Sequence, residues 1–85
     1  MNIKTAASKF DVLSNPKRLE ILTLLKGQEL TVTQITKALK IRKANTSQHL
    51  AILRLTGIVK EKQEGRYVFY KLVDKDILKI LSLVS

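Results

Sequence analysis

The spacing of apolar positions changes along the chain, and each change marks a predicted element. Ile3, Ala6, Ala7, Phe10 and Leu13 recur at intervals of three and four, which predicts a short first helix with one narrow apolar stripe. That stripe is open either to the rest of the domain or to a partner. Asn15-Pro16 is a start signal, with Asn as N-cap and Pro in the first helical position. The helix it opens, Lys17 to Lys26, is apolar nearly all round and belongs in a core, with Gly27 to end it. Thr31 and Gln34 have capping-box spacing, and Leu30 with Ile35 has that of a hydrophobic staple. A third helix over about Val32 to Leu39 follows, and Lys40-Ile41-Arg42 turns into a fourth.

The fourth segment, Ile41 to Gly57, has two dissimilar faces. At about 100° per residue, Thr46, Leu50 and Leu53 fall on one stripe suited to a core. Ala44, Ser47, Gln48 and Ala51 fall opposite, with Asn45 at the flank. This second face is short, polar and unobstructed, as the floor of a DNA major groove requires. Arg42 and Lys43 stand at the entrance, where backbone N–H groups also favour phosphate. Two helices joined by a tight turn, the second with an open polar face, make a helix-turn-helix. Beyond Gly57 the period shortens to two. Ile58–Lys62 and Tyr67–Val73 read as strands about a Gln63-Glu64-Gly65-Arg66 turn, with Val68, Tyr70 and Leu72 on one face. A hairpin in this place is a wing, and Lys62, Gly65 and Arg66 at its tip are candidates for the DNA backbone or minor groove. Asp74 and Asp76 open a last helix, where Ile77, Ile80, Leu81 and Val84 form a stripe and Leu78 and Leu83 lie outside it. The expected fold is mainly α with a β-hairpin wing (α+β): a winged helix-turn-helix of four helices, two strands and a fifth helix, forming one domain over residues 1–85.

Charge strengthens the nucleic-acid reading. The chain carries a formal charge of +9, and nine basic residues between Lys37 and Lys71 face only Glu61 and Glu64. A basic half on a small domain is the footprint of a polyanion. A chain of 85 residues is marginally stable alone, and with no Cys neither disulfides nor thiolate metal clips can help it. Oligomerisation is the remedy left. The apolar stripes on the first and last helices, through Ile3, Phe10, Ile77, Ile80, Leu81 and Val84, are the expected homodimer interface. No segment has the roughly 18 apolar residues of a membrane span, and the first residues lack a signal core, so an intracellular, nucleoid-associated protein of the cytoplasm is expected. No Gly-rich phosphate loop, activated nucleophile or metal cluster suggests an enzyme, and no cofactor is implied. His49, the only His, lies about 60° from the core stripe, so it is read as a packed, hydrogen-bonded residue or a phosphate contact on the recognition helix rather than a catalytic group. Tyr67, Phe69 and Tyr70 alternate in a strand and are read as packing residues rather than a stacking platform for single strands.

Four ordered stretches resemble the ArsR family of winged-helix repressors: Ser14-Asn15-Pro16-Lys17-Arg18-Leu19; Glu29 to Thr33; Thr46-Ser47-Gln48-His49-Leu50 with Leu53 and Gly57-Ile58-Val59; and Glu64 to Tyr70. The resemblance runs from about residue 8 to residue 80. It implies a homodimeric regulator whose first and last helices form the interface and whose fourth helix reads the major groove through Lys43, Ser47 and Gln48. Ala44 stands where the family often has Ser, and Arg42 where it has an N-cap Ser. Many members bind metal through a Cys-Val-Cys segment at the start of the third helix. Here that segment is Thr31-Val32-Thr33, and hydroxyls are poor soft-metal ligands. A second family site uses carboxylates and His in the last helix, which here offers Asp74 and Asp76 without His. No metal response is therefore expected.

The expected function is sequence-specific binding of double-stranded DNA, with Arg42, Lys43, Asn45, Ser47, Gln48 and His49 on the recognition helix and repression as the outcome. Gln48 can pair bidentately with adenine, and Asn45 likewise if it reaches. An architectural DNA binder without sequence preference, or a winged-helix protein-interaction module, is the alternative. Of a small organic inducer, control by temperature or ionic strength, and constitutive repression, the last is favoured, because so short a chain leaves little room for a pocket of roughly 300 Å³, though a dimer interface could supply one.

Overall fold

The computed structural model describes residues 2–84. Helix α1 (Ile3–Leu13) is started by Asn2, whose side chain accepts the Thr5 N–H at 2.8 Å. It turns Val12 and Leu13 inward. Most of the stripe read from its sequence faces out instead: Ile3 is 89% exposed and Phe10 62%. Helix α2 (Pro16–Leu24) begins as expected, with Asn15 Oδ1 accepting the N–H groups of Lys17 and Arg18 at 2.9 and 3.2 Å. The Arg18 side chain donates through Nε to the Val12 carbonyl at 2.8 Å and ties the end of α1 to α2. Helix α2 ends short of Lys26, with Leu25 as its cap. Gly27 follows at φ +73°, outside the helix.

Strand β1 (Leu30–Thr31) is the element the sequence pattern did not predict. Thr31 caps helix α3 (Val32–Leu39), and an N-cap residue is extended, here at φ −84° and ψ 164°. The same two residues can therefore both start a helix and edge a sheet. The capping box forms as expected, with Thr31 Oγ1 accepting from Gln34 N–H and Gln34 Oε1 accepting from Thr31 N–H. Helix α3 closes on Lys40, which takes a left-handed conformation at φ 55° and ψ 43°.

Helix α4 (Lys43–Leu55) crosses α3 around a buried polar contact. Thr36 Oγ1 donates to Thr46 Oγ1 at 2.8 Å, and Thr46 is fully buried. Leu50 and Leu53 on the same stripe enter the core. Gly57, at φ +77°, ends the helix as expected, its N–H donating to the Arg54 carbonyl. Strands β2 (Val59–Glu64) and β3 (Tyr67–Leu72) pair antiparallel in register Glu64↔Tyr67 to Val59↔Leu72. The hairpin loop is thus only Gly65-Arg66, because Gln63 and Glu64 of the four-residue turn read from the sequence pair within β2, and Gly65 supplies the positive φ of 61°. Strand β3 lies central in the order β1-β3-β2, with Thr31 opposite Phe69.

Helix α5 (Lys75–Val84) starts on Asp74, whose Oδ1 accepts the N–H groups of Asp76 and Ile77. Its Oδ2 meets Lys9 Nζ of α1 at 2.6 Å. Ile77 and Leu81 are 1% and 2% exposed and belong to the chain's own core, and Ile80 packs half-buried against it. The expectation that Ile77 and Leu81 face a second chain is therefore corrected. The outward apolar residues of α5 are Leu78, Leu83 and Val84. Among the described residues no helix is long and apolar enough to cross a membrane.

Lys40 gives a first test of these local rules. A non-glycine residue in the left-handed region costs about 1 kcal/mol, and glycine there does not. Lys40→Gly should raise the unfolding free energy by about 0.5–1 kcal/mol, seen as a higher urea midpoint at unchanged slope. Lys40→Ala should give no such gain; equal gains from both would show that backbone strain is not the cause.

Candidate nucleic-acid interface

The N-terminal half of α4 projects from the body with nothing covering it. Arg42, Lys43, Ala44, Asn45, Ser47 and Gln48 are all exposed, while Thr46 between them is buried. The helix is held from behind by Thr46, Leu50 and Leu53, so its outer side chains stand on a rigid support. Arg42 occupies the N-cap position without a side-chain cap bond. The N–H groups of the first turn are thus left for another acceptor, and two cations stand beside them. Farther along, the outer face turns apolar at Ile52 and Leu55.

His49 does not join this face. It is half-buried, and its Nδ1 is sealed from solvent without a hydrogen-bond partner. Burial first, and the positive charge of Arg18 second, lower its pKa from the ordinary 6.5. Packing favours the neutral imidazole, and the hydrogen bond expected of a packed His is not formed at Nδ1. Its place close beside the core stripe is the signal that pointed to packing.

The wing separates its two expected cations. Lys62 lies 3.0 Å from Glu64 and 3.5 Å from Glu29. The hydrogen bond to Glu64, then the charges of Glu29 and Glu64, hold it protonated above its usual range. Its charge is largely answered within the chain. Glu29 joins a loop ahead of β1 to the wing, a role its sequence did not suggest because β1 was not foreseen. Arg54 is likewise paired, with Glu61 at 2.8 Å. Among the described residues no acid lies within salt-bridge distance of Arg42, Lys43 or Arg66. Arg66 is braced instead by Tyr67: its guanidinium lies 5.1 Å from the ring centroid and donates to the Tyr67 hydroxyl at 2.9 Å. Gly65 forms the turn that aims it. The start of α4 and the wing tip thus each carry positive charge that no acid among the described residues answers.

Asp74 and Asp76, the carboxylates considered for a metal, are not alike. Asp74 gives both oxygens to Lys9 and to the N–H groups of its own helix. Among the described residues no group of three or more His, Asp or Glu side chains is placed to hold a metal ion.

The arrangement has close counterparts. Residues 15–61 match the family described as bacterial regulatory protein, arsR family. The Synechocystis protein named transcriptional repressor SmtB homolog is 35% identical over 93% of this chain, which spans 60% of that protein's length. The transcriptional activator HlyU of Vibrio cholerae is 32% identical over 98% of this chain and 77% of its own. The reduced form of HlyU superposes with a TM-score of 0.90, covering 95% of this chain and 85% of that structure. The homodimeric winged helix-turn-helix DNA-binding domain of Mb0332 from Mycobacterium bovis, 29% identical, superposes at 0.86 over 96% of this chain and 76% of that domain. The fold is that of a winged helix-turn-helix, the residues that shape it are those of transcriptional regulators rather than enzymes, and the chain belongs to the ArsR family.

Proposed function

We propose that this chain binds a specific double-stranded DNA site as a homodimer and represses transcription by occupying it. The observation that carries the reading is the uncovered start of α4. Polar Asn45, Ser47 and Gln48 stand there beside unpaired Arg42 and Lys43, on a helix anchored from behind by buried Thr46 and Leu50. Gln48 and Asn45 have the donor-acceptor pairs that read adenine, and Arg66 on the wing takes the backbone. Dimerisation is supported by the apolar side chains left outside α1 and α5: Ile3, Phe10, Leu78, Leu83 and Val84. The Lys9–Asp74 ion pair ties α1 to the start of α5. Two recognition helices presented by such a dimer would enter major grooves about 34–36 Å apart and meet a pseudo-palindrome. The SmtB homolog is named a repressor and HlyU an activator. Blocking polymerase needs nothing beyond the DNA-binding surface itself, which favours repression. Such a protein works in the cytoplasm, on the nucleoid. Metal is not part of the reading, because Thr31 and Thr33 replace thiolates and Asp74 is committed to Lys9.

The experiment is selection of bound duplexes from a random pool, followed by competition against random duplex. A regulator should prefer its site by about 10³-fold or more. Gln48→Ala should lose about 1–3 kcal/mol on the selected site alone and relax the base it reads. Arg66→Ala should weaken all duplexes alike and reduce the salt slope by about one. No preference in the pool, or the same loss from Gln48→Ala on random DNA, would leave an architectural binder instead.

A further inference from the structure

A groove of about 660 Å³ lies between the wing and the start of α3. The expectation that so short a chain leaves little room for a ligand pocket is therefore corrected. Its walls are Val32 at the start of α3 and Tyr67, Val68 and Phe69 of β3; Lys43 and Arg66 stand among them. The back wall is fixed by the sheet, because Thr31 pairs with Phe69 and holds α3 against the wing. Tyr67 and Phe69 form a tilted aromatic pair with centroids 6.5 Å apart. Tyr67 is half exposed there, with no core to pack into. The lining contains two cations and no acid.

We propose that this groove binds a small aromatic carboxylate, its ring against Tyr67, Val68 and Phe69 and its carboxylate between Lys43 and Arg66. The size falls within the range of small-molecule sites, which are mostly apolar with a few placed polar groups. The charge complementarity selects an anion, and the braced guanidinium of Arg66 offers a carboxylate its planar fork. The apolar walls select the rest of the molecule. A phosphate or acetate ion satisfies the cations but leaves the aromatic wall in water. Resting on the DNA-binding reading above, the consequence is regulatory: the ligand takes the two cations that face the DNA, so ligand and duplex exclude each other.

The test uses 2-naphthoate as probe on the whole chain, followed by amide chemical shifts without DNA. Binding should saturate, with the largest shifts at Val32–Gln34, Lys43 and Tyr67–Phe69. The neutral isostere 2-naphthylmethanol should bind about tenfold more weakly, the worth of one charge-assisted contact. Acetate and inorganic phosphate should be weaker by at least as much. Arg66→Gln with Lys43→Gln should bring naphthoate down to the level of the alcohol, and Tyr67→Ala should weaken both probes together. Spectra otherwise unchanged in these variants would show that they remain folded. Shifts gathered on α1 and α5, equal binding of acid and alcohol, phosphate as tight as naphthoate, or no saturation up to about 10 mM would each overturn the site. A second arm titrates naphthoate into the protein bound to its selected duplex. Displacement at the concentration that fills the groove is expected, and a ternary complex would overturn the exclusion. Because the first arm contains no DNA, a chain that failed to prefer any duplex would refute the function proposed above without touching this site.

Discussion

Replacing Asp74 by Ala should lower the unfolding free energy by about 2–4 kcal/mol, among the larger losses available outside the apolar core. Asp74 does two jobs at once. It caps α5 through the N–H groups of Asp76 and Ile77, and it holds Lys9 of α1 in a pair whose side chains are 8% and 18% exposed. Removing the carboxylate opens the cap and strands a half-buried ammonium. Asp74→Asn separates the two, since Asn caps as well as Asp but cannot answer Lys9; it should lose about half as much. Total stability for a small domain is about 5–15 kcal/mol, so the Ala variant should melt roughly 10–20 °C lower. An unchanged melting temperature would mean that the ion pair and cap do not form in solution.

The same residue gives stability a pH dependence. Burial pushes the Asp74 carboxyl up, but the hydrogen bond from Lys9, the Ile77 N–H and the charge of Lys9 together hold it below its ordinary 3.8. The unfolded chain therefore takes up a proton that the folded chain resists. The stabilisation is full above 3.8 and is lost as pH falls through the folded value. His49 acts earlier. Its folded pKa lies below 6.5, so the unfolded chain protonates first and stability starts to fall once pH drops beneath that value. Urea unfolding across pH should show both descents. His49→Gln should remove the one that begins near 6.5, and Asp74→Asn the one in the acid range.

The starts of α2 and α3 were legible because capping is local: Asn15-Pro16 and Thr31-Gln34 carry their own instructions within four residues. The exposed face of α4 was legible for a similar reason. A helical period sorts Thr46, Leu50 and Leu53 from Ser47 and Gln48 whatever lies around them. Strand β1 was not, since two residues have no period and their partner, Tyr70, lies forty residues on in the chain. Of the two acids that answer Lys62, Glu64 is local in the same strand, whereas Glu29 reaches it only through the fold. Helix α5 misled in a different way. It has apolar residues on both sides, so periodicity alone could not tell the core face from the open one. Tertiary packing, which puts Ile77 and Leu81 in the core and leaves Leu78 and Leu83 outside, decides it.

That division of α5 makes the most discriminating prediction. Leu81 is 2% exposed inside the chain's own core, whereas Phe10 and Leu83 are 62% and 85% exposed. Leu81→Glu buries an unpaired carboxylate in the apolar core, and more than about 4 kcal/mol should be lost. The expected result is an unfolded chain, seen by circular dichroism. Phe10→Glu with Leu83→Glu places like charges only on the open surface of α1 and α5. The chain should stay folded, with a helical spectrum and a cooperative melt, but should sediment at 9.6 kDa where the unaltered chain sediments at twice that mass. Its affinity for the selected duplex should fall by about 10²–10⁴, because the second half-site no longer benefits from a tethered partner helix. Its affinity for a single half-site should hardly change, since α4 and the wing are untouched. An unaltered chain that sediments at 9.6 kDa, or a double variant that still dimerises, would show that the outer apolar residues of α1 and α5 are not where two copies meet.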